Sequence, residues 1–442
     1  MLLKLEKFLF YLFLFLIPFQ IRATIFWQGS EWNSIFLYLT DLLLIGFLFF
    51  GIINKRISIK KTDILLFLFL LIAGISLMVS SNLNISIYRF VKLLEFAFLY
   101  IYVRESLHIY GGIYKVLLAS GVFQAILAIA QFYKQSSLGI KFIEAGKYLP
   151  GAAGVATFIS NDAKIMRAYG SFPHPNVLAG FLLLAIFCFY YLWISNAIKG
   201  RFCYMLHVIC YGLMVFALFV SFSRTTIFVF LLISFLFLLI RFFQLRQLYH
   251  TEERLLAGKR LMILALFFIV FSALSSTALL PYMKTRFLTI SIQEEAVDLR
   301  FFYAKMAIAI IKEKPILGIG IGNFVNYSHN YPAFLRAATK LAASGGLTGG
   351  KIPDWIYQPA HNIYLLIASE IGILGLLLFL LFLIKKIKSE IKKLFKVLDE
   401  INPLIFLFIG FLVIGFADHY FWTLQSGSLM FWLGLALMQD NL

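Results

Sequence analysis

Long apolar runs, broken by short polar segments, fill most of the chain. They fall near 8–25, 35–53, 63–79, 86–103, 113–132, 176–195, 203–220, 225–240, 261–280, 361–384, 403–418 and 421–438. Each approaches the roughly 20 residues a helix needs to cross a bilayer, so the pattern predicts an all-α integral membrane protein with about twelve transmembrane helices. The polytopic domain takes up the whole chain, 1–442. Two stretches are too long and too polar to be simple connections, 133–175 and 281–360. Within the second, DLRFFYAKMAIAIIKEKPILGIGIGNF (298–324) is amphipathic up to Pro315 and then glycine-rich. That reads as a helix lying on a membrane face, stopped by proline and followed by a turn. No tandem repeat or low-complexity tract is present. Lys4 and Lys7 before the first apolar run suggest a signal peptide, but no small-residue cleavage site follows, so the run is taken as the first anchor.

Composition agrees and removes alternatives. Apolar residues make up 62% of the chain and charged residues 14%, which excludes an ordinary soluble domain. The net charge of +18 invites a nucleic-acid reading, but in a membrane chain basic residues first report orientation. Lys55, Arg56, Lys60 and Lys61 share one short loop, Lys199 and Arg201 another, and a run from Lys385 to Lys396 lies in a third. Placing all of these inside puts both termini in the cytoplasm and both long loops outside. The three cysteines, Cys188, Cys203 and Cys210, lie in apolar stretches without metal-ligand spacing.

Candidate chemistry gathers at the outer ends of the spans. Arg224 sits in SFSRTT between two nearly continuous apolar runs, so it either snorkels to headgroups or faces a polar pocket, and its Ser and Thr neighbours favour the pocket. Arg300 on the amphipathic helix and Arg167 before the sixth span are each explicable as lipid-facing or solvated charges, yet they map to the same side. His361 opens the tenth span beside Asn362 and is the best candidate base. Asn176 opens the sixth span just after Pro173 and Pro175, a shaped turn in which His174 reads as structural. Asp418 and His419 form a weaker acid/base pair. Arg89, Lys92 and Glu95 are spaced for an internal ion pair, or for a second phosphate contact. The GIGIG segment (318–322) follows a helix and lacks a βαβ context, so it is no dinucleotide loop. Without a Walker motif, paired-carboxylate motif or Cys/His cluster, chemistry independent of nucleotide, metal and other cofactors is expected.

Four segments together resemble the bacterial O-antigen ligase and O-antigen polymerase superfamily: YGSFPHPNVLAG, SFSRTT, the 298–324 segment and AHNIYLLIASEIGILG. The resemblance runs over roughly 165–376, with a core at 203–376 that includes the loop 281–360. It implies transfer of a glycan from an undecaprenyl diphosphate carrier to an acceptor hydroxyl, on the outer face of the bacterial inner membrane. It implies donor-binding roles for Arg224 and Arg300 and an essential role for His361. The motif before the sixth span often has Asn where this chain has His174, so no role is carried over to that position. Arg167, Arg89, Lys92, Asn362 and Asn176 are the remaining substrate-binding candidates. The expected partners are the lipid-linked donor, a glycan, lipid A core or protein acceptor, and membrane lipids, with no nucleic acid.

The chemistry is physically consistent. The diphosphate is its own leaving group, arginine forks can stabilise its growing charge, and a histidine can take the acceptor's proton. Polymerase is preferred over ligase because nothing marks a dedicated lipid A or protein acceptor site. Protein O-oligosaccharyltransferase remains an alternative within the same superfamily. Outside it stand a twelve-span secondary transporter, disfavoured because the halves differ, and a degenerate binding or scaffold protein.

Overall fold

The computed structural model describes residues 2–152, 154–198, 200–247, 252–288, 295–332, 356–396 and 402–439. The part of the long second loop at 333–355 therefore lies outside the described residues. The chain is mostly helical, with two small antiparallel hairpins. Among the described residues, seven stretches are long and apolar enough to cross a membrane: Lys61–Val79, Ile113–Lys134, Pro175–Ile194, Phe202–Val220, Arg224–Arg246, Arg254–Ala278 and Ile363–Lys393.

Other apolar runs are realised differently from the sequence pattern. The first helix, α1 (Leu2–Leu16), stops short of the expected 25. Pro18 follows, and the chain turns into β1 (Arg22–Phe26), which pairs with β2 (Ile35–Tyr38). A proline lacks the amide proton and disfavours helix in the residue before it. The second run therefore starts as a strand and continues as α2 (Leu39–Ile53). Near the C-terminus, Leu424 adopts extended backbone and splits one expected span into α15 (Tyr420–Thr423) and α16 (Gln425–Leu437).

Between these ends the chain forms α3 (Ile64–Ile75), α4 (Leu83–Ser106), α5 (Ile113–Lys134), the hairpin β3 (Thr157–Ser160) and β4 (Ala163–Met166), and α6 (Pro175–Ile194). Then come α7 (Arg201–Val220), α8 (Arg224–Gln247), α9 (Glu252–Ala278), α10 (Leu280–Leu288), α11 (Glu295–Glu313), α12 (Phe324–Ser328), α13 (Ile363–Lys396) and α14 (Leu404–Gly415).

α6 is the hub, with 89% of its apolar window buried against α5, α7, α8, α9, α14 and α16. It is apolar all round, as a helix surrounded by helices must be. Its closest approach needs glycine: a Cβ on Gly121 of α5 would lie 2.3 Å from that of Ala185. Small residues at such contacts let helices approach in lipid, where packing replaces the hydrophobic effect.

α4 is held in the bundle by charge. Lys92 pairs with Asp41 and with Glu95, while Arg104 and Lys386 reach the same Asp63 oxygen at 2.6 and 2.9 Å. These contacts join α2, α3, α4 and α13 and satisfy charges that apolar surroundings would otherwise penalise.

α11 is amphipathic, as its sequence predicts. Tyr303, Met306, Ala307 and Ile310 are buried in a separate small core with Phe324, Ile356 and Leu366. The glycine-rich turn after it docks into a break in α13, where Gly372 has φ +88°. Ile373 N donates to Pro315 O at 2.8 Å and Ile319 N donates to Ser369 O at 3.0 Å. A Cβ on Gly372 would lie 1.9 Å from Ile316 O, so the turn serves packing, consistent with its reading as no nucleotide loop.

Candidate active site

The segment after β4 is fixed from below by two buried glutamines of α5. Gln131 accepts from Tyr169 N and Gly170 N at 3.1 and 2.8 Å, and Gln124 accepts from Ser171 N at 2.8 Å. Pro175 then takes the first helical position of α6, where its missing proton is harmless. His174 is the helix cap, its Nδ1 accepting from Asn176 N at 3.2 Å, which assigns the ring proton to Nε2. The structural role read from the prolines fits this geometry.

Arg167, buried to 5% exposure, runs sideways from this segment. Its Nε donates to Ser221 O at 2.8 Å and its Nη2 to Asn176 Oδ1 at 2.6 Å. Asn176 in turn donates through Nδ2 to Asp418 Oδ2 at 2.6 Å, and His419 N donates to Asp418 Oδ1 at 2.8 Å. A continuous chain of polar contacts thus joins the start of α6, the α7–α8 turn and the α14–α15 turn.

His361 stands beside this chain. Its ring lies edge-on to His419 at 4.7 Å and parallel to Tyr303 of α11 at 5.9 Å. Tyr303 is anchored by donating to Ile356 O at 2.5 Å. Among the described residues, His361 Nδ1 has no hydrogen-bond partner although it is buried, so a lone pair is available at the ring. Asn362 caps α13, accepting from Tyr364 N and Leu365 N at 2.9 and 3.0 Å and donating to Phe416 O at 3.2 Å. Its amide thus caps the helix that His361 precedes.

The electrostatics are those of one carboxylate among many cations. Burial alone would raise the Asp418 carboxyl, but His419, His361, Arg300 and His174 hold it well below the usual range. Burial pushes His361 well below its ordinary value, helped by His419, Arg300 and His174 and opposed by Asp418. His419 is pushed down to about 4 by burial, against the pull of Asp418. Burial also lowers Arg167 to about 9, with Arg286 and Arg300 adding repulsion, which leaves it charged at neutral pH. The site thus presents neutral histidines in a field of guanidinium charge, suited to a polyanion.

Of the residues singled out in the sequence, Arg167, Asn176, Arg300, His361, Asp418 and His419 act on one another here. Arg224 opens α8 three residues beyond Ser221, on the turn that receives Arg167. Arg89 and Lys92 line a neighbouring cleft, from which the charge of Arg89 reaches His419. Arg89 donates to Thr423 O at 2.8 Å, and Lys92 is held by Asp41 and Glu95, the internal ion pair that its spacing allowed. Arg286 on α10 was not singled out. Its only signal is position, a basic residue where a span leaves the membrane into the long loop.

Residues 209–380, from within α7 to within α13, match the O-antigen ligase family. The chain carries an O-antigen ligase domain. Among curated proteins none matches the sequence. This similarity and the long apolar helices are those of an integral membrane protein resembling the O-antigen ligase family. The O-antigen ligase domain contains Arg224, Arg286, Arg300 and His361, whereas Arg167, Asn176, Asp418 and His419 come from outside the matched residues. The cluster is therefore assembled from the matched domain and both flanking regions.

Proposed function

We propose that the protein transfers a glycan from an undecaprenyl diphosphate carrier to an acceptor hydroxyl, without a metal ion. The observation that carries this reading is the histidine and carboxylate cluster ringed by Arg167, Arg286 and Arg300. In this reading Arg300 and Arg224 bind the diphosphate bidentately, Arg167 adds positive field, and His361 is the base. The acceptor oxygen forms a bond to the anomeric carbon as the carbon–oxygen bond to the diphosphate breaks. The acceptor proton goes to His361, the electron pair leaves with the diphosphate, and the anomeric configuration inverts.

The depressed basicity of His361 fits this order of events. Without donor, burial, helped by Arg300, keeps its ring neutral and ready to accept a proton. A bound diphosphate supplies opposing charge that favours the imidazolium, so the base strengthens when its substrate arrives.

The finer placement is also our proposal. The short apolar helices complete about twelve crossings, both termini are cytoplasmic, and the loops 133–175 and 281–360 lie outside. The O-antigen ligase-related core spans 203–376, in a bacterial inner membrane with the site facing the periplasm or exterior. We favour transfer onto another lipid-linked repeat, because nothing in the sequence marks a dedicated lipid A or protein acceptor site.

The test is transfer by the purified full-length chain with an undecaprenyl diphosphate-linked oligosaccharide, with and without chelator. Longer lipid-linked products that persist in chelator support the proposal. No product under either condition refutes transfer, and chelator-sensitive product refutes metal independence.

A further inference from the structure

A cleft opens beside the histidine cluster, between the β1–β2 hairpin, α4, α12 and the α15–α16 turn. Its walls include the aromatic rings of Trp32, Tyr38, Tyr88, Phe324 and Trp422. Flat apolar faces combined with polar tips suit the two-sided surface of a sugar ring, which offers C–H groups above and below and hydroxyls around its edge.

Charge sharpens the reading. Arg22 is ion-paired with Glu31 and rests on Phe36, 4.1 Å from the ring centroid. Lys92 is occupied by Asp41 and Glu95. Glu370 accepts from Trp422 Nε1 at 3.0 Å. Arg89 differs: one nitrogen donates to Thr423 O at 2.8 Å, and Glu370 of the same cleft acts on it through charge, but among the described residues no carboxylate comes within ion-pair distance of it. A guanidinium on a cleft wall with no carboxylate in contact can receive an anionic group.

The cleft also leads to the base. Thr423, whose carbonyl holds Arg89, is joined through its hydroxyl to His419 Nδ1 at 2.6 Å, and Trp32 meets the His419 ring edge at 5.4 Å. Pro359, two residues before His361, lines the same space. This approach reaches the histidines from the Thr423 flank, whereas Arg167 holds the Ser221 and Asn176 flank. Displacement at the anomeric carbon needs nucleophile and leaving group on opposite faces, so the approach nearer the base suits the acceptor.

We propose that this cleft is the acceptor subsite, taking a saccharide that carries a carboxylate or phosphate group, with sugar rings on the aromatic wall and the anion on Arg89. The acceptor assignment rests on the transfer reading above; the binding specificity does not.

The test is tryptophan fluorescence of the purified full-length chain, since Trp32, Trp422 and Trp432 line the cleft. The probes are trigalacturonic acid, maltotriose and inorganic phosphate. Trigalacturonic acid is expected to give a saturable change and to bind at least about tenfold more tightly than maltotriose or phosphate. Arg89→Gln should remove that tenfold preference, and Arg89→Lys should keep part of it. No saturable change, equal binding of the neutral trisaccharide, phosphate binding as tightly as the acidic one, or a preference that survives Arg89→Gln each overturns the proposal. Binding with this specificity in a chain that transfers nothing would refute transfer and leave the cleft assignment standing as a saccharide site.

Discussion

Asp418→Asn is the most informative single change. The two side chains have nearly the same shape, so the perturbation is the loss of one negative charge and of one acceptor. Asp418 accepts from Asn176 Nδ2 at 2.6 Å and from His419 N at 2.8 Å. An asparagine can accept at only one oxygen, so one buried donor then faces an NH₂ group. Losing a hydrogen bond to a charged group is worth about 1.5–3 kcal/mol. The charge change acts in the same direction. Asp418 opposes the burial and repulsion that depress His361, His174 and Arg167, so its removal weakens the base further. One unit of lost basicity corresponds to about 1.36 kcal/mol.

We expect slower transfer by one to two orders of magnitude, about 10–100-fold, from a base of reduced strength. We also expect a less stable protein in detergent, by about 2 kcal/mol. The pH dependence adds an independent check. Asp418 is depressed when folded, so its contribution to stability is present above its unfolded value, roughly pH 4, and disappears as pH falls through the folded value. The asparagine variant should lack that acid limb. The assays are donor turnover at saturating acceptor and thermal melts between neutral and acid pH. Wild-type turnover with an unchanged melt profile would refute the view that this carboxylate sets the charge state of the site.

Other predictions concern the same site and the bundle that carries it. His361→Ala should reduce transfer about 10²–10⁴-fold, the usual worth of a general base, with normal membrane insertion; normal polymer would remove His361 from the mechanism. Arg224→Lys should lose most activity in the same assay, because an ammonium cannot reproduce a bidentate fork; full activity would point to snorkelling at the headgroups. Asp63→Asn leaves Arg104 and Lys386 without their shared counter-charge, which should destabilise the fold by about 3–5 kcal/mol, read as a lowered melting temperature. Acidification below about pH 6.5, where free histidines take up protons, should destabilise the wild type. His174 and His419 are depressed to about 3 and 4, so the stability present at neutral pH is lost progressively as pH falls toward those values; a flat melting profile from pH 7.5 to 5 would contradict their burial as neutral rings.

What the sequence determined by itself is what depends on neighbours along the chain. Apolar runs of sufficient length mark helices, Pro315 marks where α11 must stop, and Pro175 marks where α6 begins. The pairing of Lys92 with Glu95 was legible because helical residues three apart face one another. The concentration of His361, Arg300 and Arg167 near the ends of spans also followed from charge placement, since lipid allows such residues few other positions.

The tertiary structure alone decided which of these residues meet. Asn176 and Asp418 touch across 242 positions, and Arg89 and Thr423 across 334. Periodicity reports which face of a helix is apolar but not which helix it will face, so the contact of Asp418 with Asn176 was not legible. The short helices at the two ends escaped the span pattern for a related reason. Hydropathy alone cannot distinguish a helix followed by a strand from one continuous crossing, and only the pairing of β1 with β2 resolved the first run. Hydrophobicity acts residue by residue, so it survives as a pattern in the sequence. Hydrogen bonds and ion pairs depend on distances of a few ångströms between remote segments, and those distances exist only once the helices have packed.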